Sequence, residues 1–530
     1  MRRLPFALTV IASALLVAAC SGGGTTPSTG TSGPTTYDGR LANSGISHPK
    51  FLRLFRTPPH PPPRRHKITS AEIARARAAG WQPLSSVPAF PNGAQTELLL
   101  TDGTVAVFDY CSSTMYRLTP DQNGSYVNGT WAAMPSLPGG YAPLYFASVI
   151  LPDGKMIING GEYQACSGAE TNKGAIFDPV ANTWTSVTGP SGWTQIGDAS
   201  GLVLSNGTYM LGNCCYTYQA LYNESAGTWT QIGSGKADTN SEEGWTLLPS
   251  GNVVSAEVFS EPGAQYYDPN ANQWKAAGTL PNNLTQCYEM GPQVLTSDGT
   301  VFIGGANQYT AKYDPGSNSW SAGPNFPVVN GQQVDMADAP ATMLTDGKVL
   351  LATSPGCYNT PTTFLMYKNG KLKQVAGPPN APNDSSYNVR LLMLPNGQVL
   401  EDDGSGDMEV YTSKGRAMAK ARPQITYVPS TLSRGSTYTA QGVLFNGISQ
   451  TNFYGDDDSQ ATNFPIVRIT NTGTGHVFYA RTHGFSFMGV ASKSSVSTSF
   501  DVPSGAETGA STLVVVANGI ASQPVSVTVQ

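Results

Sequence analysis

Seven short turns govern what this chain can become. Gly103, Gly154, Gly207, Gly251, Gly299, Gly347 and Gly397 each close an Asp-Gly, Asn-Gly or Ser-Gly turn between two apolar runs. Successive gaps are 51, 53, 44, 48, 48 and 50 residues. A near-constant period of this size marks a repeat architecture in which each unit is one small sheet. The unit reads as apolar strand, turn, second apolar strand, variable loop, "YDP"-like third strand, then a fourth strand carrying tryptophan. Trp131, Trp184, Trp229, Trp274 and Trp320 mark that fourth strand in five copies. Seven four-stranded units predict an all-β fold, a seven-bladed β-propeller of the kelch type.

The seventh copy lacks a fourth strand, and "WQPLSSVPAFP" ahead of the first copy reads as an orphan one. The ring is therefore expected to close by pairing the N-terminal segment with the last blade, leaving no exposed edge. The repeat stops near Gly415. From there to "STLVVVANGIASQPVSVTVQ" short alternating strands predict an immunoglobulin-like sandwich over 420–530.

Ahead of the propeller the chain reads as three pieces. "MRR" and "LPFALTVIASALLVAAC" have the charge, apolar run and small residues of an export signal. The pattern resembles a bacterial lipoprotein signal over 1–20 with Cys20 as the lipidated residue. Residues 21–68 are a Gly/Ser/Thr/Pro-rich and then basic, proline-rich tether. "TSAEIARARAAGW" predicts a short helix with Ser70 as N-cap and Gly80 as its stop, so 69–415 holds this helix and the propeller. The expected location is the bacterial cell envelope, lipid-anchored and facing the periplasm or exterior. A net charge of −5 with no basic stripe excludes a nucleic-acid partner.

Six further cysteines, Cys111, Cys166, Cys214, Cys215, Cys287 and Cys357, are even in number in an exported chain and predict disulfides. Strand polarity puts all six on one face of the ring, with Cys111–Cys166 one candidate and Cys214–Cys215 either a vicinal bridge or paired outward. Counting back from each turn glycine reaches the mouth of the central channel on that same face. The residues there are Ala94, Tyr145, Asp198, Glu242, Glu289, Asp338 and the pair Tyr387–Asn388. Four converging carboxylates suit a hard cation such as calcium, or the hydroxyls of a sugar. "GDDD" at 455–458 reads as a solvated turn.

The propeller followed by an immunoglobulin-like domain, with "YNVRLLMLPNGQVL" and "RTHGFSFMGVA", resembles the galactose oxidase and glyoxal oxidase family over 82–530. That resemblance implies a copper held by two tyrosines and two histidines, one tyrosine being cross-linked to a cysteine. Tyr145 then corresponds to the cross-linked tyrosine, Tyr387 to the axial one, and His483 to the histidine from the C-terminal domain. Asn388 stands where the other histidine belongs, and Ala94 or Gln95 where the cysteine belongs. Copper(II) favours imidazole over an amide, so the copper-radical site is incomplete. The leading expectation is a surface-anchored module binding a carbohydrate or other hydroxyl-rich ligand on the loop face. The alternatives are a copper-dependent alcohol or aldehyde oxidase with altered ligands, and a non-redox enzyme using clustered carboxylates.

Overall fold

The structure is a computed structural model and describes residues 68–454, 458 and 460–530. The expected signal peptide, Cys20 and nearly all of the tether lie outside the described residues. Among the described residues the chain is all-β apart from one α-helix, Ser70–Ala79, and a few 3-10 turns. Thr69, rather than Ser70, caps the helix: its hydroxyl accepts from Glu72 N while the Glu72 carboxylate accepts from Thr69 N, and Gly80 ends it at φ 116°.

Sheets follow in chain order, numbered I to VII here. Sheet I is Ala94–Leu99, Val105–Asp109, Met115–Thr119 and Thr130–Ala133. Sheet II is Ala147–Ile150, Met156–Asn159, Lys173–Asp178 and Thr183–Thr188. Sheets III, IV and V start at Gly201, Thr246 and Met290 with the same four-strand order. Sheet VI runs Ala341–Met343, Val349–Pro355, Thr363–Lys368 and Lys371–Gln374, extended by strands from elsewhere. Sheet VII has three sequential strands, Arg390–Met393, Val399–Asp402 and Met408–Tyr411, and takes its fourth from Trp81–Pro83. This series of four-stranded antiparallel sheets is consistent with a β-propeller.

The closing strand explains the missing tryptophan of the seventh copy. Trp81 pairs with Tyr411 across the ladder, rings 4.9 Å apart. The same aromatic pairing joins Phe177 to Trp184, Tyr222 to Trp229, Tyr267 to Trp274 and Tyr313 to Trp320. Several of these indoles also reach the preceding sheet: Trp131 Nε1 donates to Ser86 O, Trp229 to Thr188 O, Trp320 to Ala277 O and Trp81 to Ala376 O, all within 2.8–2.9 Å. These four tryptophans thus pack a large apolar face against their own sheet and satisfy the N–H on the segment before it.

The C-terminal region, Gln424–Val529, is one connected set of nine strands. It packs on the turn ends of the sheets. Thr482 N donates to Thr101 O, Phe485 N to Pro152 O and Met488 N to Ser205 O, one contact each on sheets I, II and III. The turn glycines are needed there: a Cβ on Gly103 would lie 2.6 Å from Tyr479 Cγ, and one on Gly154 would lie 2.7 Å from Thr482 O.

A segment of this region leaves it and enters the ring. Ser449 Oγ donates to Leu295 O at the turn end. Further along, Asn452–Phe453 pairs with Ala341–Thr342, and Asn452 Oδ1 accepts from Thr342 Oγ1 and Met393 N. Tyr454 reaches Tyr387 O at the other end. The channel between the first strands is therefore filled by chain, which supplies partners for strand groups that would otherwise face a void.

Candidate functional site

At the loop end of the channel the strand entrances share an uncommon backbone. Tyr145, Glu242 and Asp338 have φ of 55°, 57° and 44°, Tyr288 beside Glu289 has 70°, and Gly197 beside Asp198 has 68°. Left-handed backbone at non-glycine residues costs roughly 1–2 kcal/mol each. It recurs at or beside equivalent places along the repeat.

Three of the four expected carboxylates converge. One ligand oxygen from each of Glu242, Glu289 and Asp338 lies within 4.8 Å of the other two. Glu242 is 1% exposed and Glu289 0%. Asp198 is buried but stands outside this group. Tyr358, from the loop between the second and third strands of sheet VI, donates to Glu289 Oε1 at 2.6 Å. Burial, with the charges of Glu289, Asp338 and Glu242 behind it, holds the Tyr358 phenol well above its ordinary range.

Tyr387 and Asn388 form a 3-10 turn, Ser386–Asn388, beside this trio. The Tyr387 ring meets Tyr358 edge-on at 5.4 Å. Burial pushes the Tyr387 hydroxyl up to about 12, against hydrogen bonding to Asn388 and the charge of Arg390, with Asp338 adding to the rise. Tyr387 is therefore a neutral phenol at physiological pH, able to donate as well as accept. Asn388 acts as its hydrogen-bonding partner. Tyr145 is also held well above the usual phenol range, by burial first and then by Tyr110, Tyr387 and Tyr454.

Arg390 anchors the floor of the site. It is 1% exposed, 4.1 Å from the Tyr454 ring centroid and 5.9 Å from that of Tyr145. Its Nε donates to Asp458 at 2.8 Å, and its Nη1 to Tyr387 O at 2.7 Å. Asp458, expected in a solvated turn, is instead buried and accepts from Thr96 Oγ1 as well. The correction has a plain cause: the buried guanidinium demands a carboxylate there.

His483 is not at this site. It ends the strand Val477–His483, and its Nε2 lies 3.1 Å from Asp501 Oδ1 within the C-terminal region. Two residues on, Phe485 N is bonded to Pro152 O at the turn of sheet II. A strand rises about 3.3 Å per residue, so that turn lies roughly 20 Å along sheet II from Tyr145. The residue that the C-terminal region does deliver to the mouth is Tyr454. It lies outside the repeat and carries no periodic signal. Tyr110, whose hydroxyl interacts with Tyr145, and Tyr358 sit in variable loops and were missed for the same reason.

The cysteines pair as Cys111–Cys166, Cys214–Cys215 and Cys287–Cys357. Two of these bridges join loops of adjacent sheets around the mouth, and the third is vicinal. Cys111 and Cys166 pack with Tyr145 but are bonded to each other. Among the described residues no cysteine is free, and Ala94 and Gln95 stand buried where the cross-linking sulfur belongs.

These residues do not fit copper. The mouth offers carboxylate and phenol oxygens. The two described histidines, His476 and His483, are engaged by Glu507 and Asp501 in the C-terminal region. An all-oxygen set suits a hard cation instead.

No protein-family model matches the chain. A stretch of 130 residues is 29% identical to the kelch-like protein terF of Aspergillus terreus, covering 24% of this chain and 27% of that protein. Over that stretch the chain is similar to a kelch-like protein. It spans about a quarter of the length of that curated relative. Among solved structures, a copper-bound fungal alcohol oxidase of the AA5 family is 14% identical, covering 82% of this chain and 85% of that one, with TM-score 0.39. A catalytically inactive virginiamycin B lyase from Staphylococcus aureus, in complex with quinupristin, is 10% identical, covering 63% and 99%, with TM-score 0.46. At those scores neither neighbour informs the chemistry of this chain.

Proposed function

We propose that this chain is a seven-bladed propeller with an immunoglobulin-like C-terminal domain that binds a carbohydrate or other hydroxyl-rich ligand at its loop face. In this reading Glu242, Glu289 and Asp338 hold a hard divalent cation, calcium by preference. Vicinal hydroxyls complete its coordination while Tyr387 and Tyr145 offer hydrogen bonds and flat apolar faces. The observation that carries the reading is the convergence of those three carboxylates beside the Tyr387–Asn388 turn. The protein is proposed to be exported and lipid-anchored at Cys20 in the cell envelope; mass spectrometry of the mature N-terminus checks this, and an unacylated end overturns it.

Calorimetry of chelator-stripped protein with calcium, followed by a panel of neutral and acidic sugars, tests the site. Glu289→Gln should weaken calcium binding at the mouth at least tenfold and abolish sugar binding, with the fold intact by circular dichroism. Equal calcium and sugar binding by the variant overturns the assignment. The tyrosine pair Tyr145 and Tyr387 favours the copper oxidase as a second reading; stoichiometric copper in the purified protein and peroxide from primary alcohols would replace the binding reading with it. Turnover of a sugar without peroxide would instead select the non-redox enzyme.

A further inference from the structure

The three bridges at the loop end differ in what they constrain. Cys111–Cys166 and Cys287–Cys357 span 55 and 70 residues, whereas Cys214–Cys215 joins neighbours. A disulfide stabilises a fold mainly by closing a loop in the unfolded chain, and a bridge between neighbours closes none. The segment that carries the pair is held by other bonds. Cys214 N donates to Ile196 O at 3.0 Å, Asn213 Nδ2 to Gln195 O at 2.7 Å and Cys215 N to Asn213 Oδ1 at 3.2 Å. Asn240 Nδ2 in turn donates to Asn213 O at 2.9 Å. Backbone and amide bonds therefore place the two cysteines, and their own bridge is not what staples the loop.

A third donor meets them from the neighbouring sheet. Glu170 lies between the second and third strands of sheet II, and the cysteine pair between the second and third strands of sheet III. Glu170 Oε2 is 3.6 Å from Cys214 Sγ. One carboxylate oxygen and the two sulfurs all lie within 4.8 Å of one another. The three residues are 4, 0 and 2% exposed. Donors about 2.3 Å from one ion stand at most roughly 4.6 Å apart, so this spacing is close to what a shared ion requires.

Gly197 permits that approach. It has a φ of 68°, and a Cβ there would overlap both Glu170 Oε2 and Cys214 Sγ. Its backbone also ties the two sheets together at this point: Gly197 N donates to Thr171 O at 3.2 Å, and Gly161 N donates to Gly197 O at 2.8 Å. Glu170 itself has a left-handed backbone, φ 44°, which is uncommon away from glycine. Such backbone persists where surrounding contacts over-determine it, and it clusters at ligand sites.

We propose that Glu170, Cys214 and Cys215 form a buried site for a borderline-soft divalent cation, zinc by its two sulfurs and one carboxylate, that opens when a dithiol reduces the vicinal bridge. The exchange balances. The dithiol gives up two electrons and its two S–H protons and becomes a disulfide, while the Cys214–Cys215 bond breaks and each sulfur takes one proton. The ion then displaces both protons and forms two metal–sulfur bonds. Glu170 is the third ligand, and the fourth tetrahedral position is left to water or a further donor. Bridge and ion exclude each other, because both use the same two sulfurs. Thiolates select zinc over calcium, so the site differs in chemistry from the oxygen-only axial trio and does not rest on the function proposed for it.

The test uses the full chain, reduced with dithiothreitol and freed of it by gel filtration under argon. Cadmium chloride then stands in for zinc, because its thiolate complexes absorb in the ultraviolet. Alkylation of Cys214 and Cys215 by iodoacetamide is followed by peptide mass spectrometry, and the fold by circular dichroism. The expected result is an open bridge in a folded chain, with alkylation of both cysteines slowed at least tenfold by cadmium and the protection competed by zinc chloride. Glu170→Gln should weaken cadmium binding at least tenfold. A bridge that opens only on unfolding, equal alkylation with and without cadmium, or equal affinity in Glu170→Gln overturns the proposal. Should Glu170→Gln fail to fold, crystals of the reduced, unsubstituted protein soaked in cadmium chloride decide by anomalous scattering. A peak between Glu170 and the two sulfurs supports the site, and its absence there overturns it.

Discussion

The two ends of the sheets are built from opposite materials. The turn end is closed by backbone and apolar contact: glycines at positive φ admit the C-terminal region, and main-chain bonds from Thr482, Phe485 and Met488 fasten it to sheets I, II and III. The loop end gathers the three disulfides, the axial carboxylates and the buried tyrosines. At the first end titratable side chains serve mainly as donors to main-chain oxygens, as Arg481 does to Asp153 O and Lys420 to Ser297 O, whereas the second buries carboxylates at a cost that packing alone does not recover. Local conflict with stability at one end, set on consistent packing at the other, is the pattern expected where a site has been grafted on a scaffold.

The plug that joins the two ends should break this contrast most strongly. Arg390→Met removes the guanidinium that pairs with Asp458, the two side chains being 1% and 0% exposed. Leaving that carboxylate buried without its cation, with Thr96 as its remaining donor, should cost about 3–5 kcal/mol, read by chemical denaturation, and should loosen the Tyr387 turn with it. A loss under 1 kcal/mol would mean the plug is not structural. At the turn end, Gly103→Ala meets both a φ of 77° and the Tyr479 ring. It should cost about 1–3 kcal/mol while leaving calcium affinity at the mouth unchanged; a fall in affinity would show that the ends are coupled. The smallest effect belongs to His483→Gln. Its partner Asp501 is one-third exposed, so the exchange should shift stability by less than about 1 kcal/mol. Metal binding should not change; a loss would return His483 to the site.

What was legible in the sequence follows the repeat. Turn glycines gave a ruler, and counting along it found Tyr145, Glu242, Glu289, Asp338, Tyr387 and Asn388 at one opening. The ruler also placed the cysteines on one face, and the unpaired Trp81 segment in sheet VII. It failed where position is not set by the period. Asp198 has the right count but stands outside the carboxylate trio. Tyr454 and Asp458 arrive on a non-repeating excursion, and Tyr358 on a loop of variable length. His483 was assigned by its motif, yet the strand carrying it packs on the turn end. An arginine amid the leucines of "YNVRLL" was the one unread signal, because a buried Arg390 requires an anionic partner from elsewhere in the chain.

The seam at Trp81 has a mechanical consequence. Load applied from the N-terminal side reaches first the helix Ser70–Ala79, whose Ala76 packs with Trp81 and Phe364. It then reaches a strand held by three register pairs: Trp81 with Tyr411, Gln82 with Val410 and Pro83 with Glu409. That strand is the outermost of its sheet, so it can peel away one residue at a time while the other three strands keep their ladder. Under tension the ring opens at its clasp, and the remaining sheets need not unfold for it to do so.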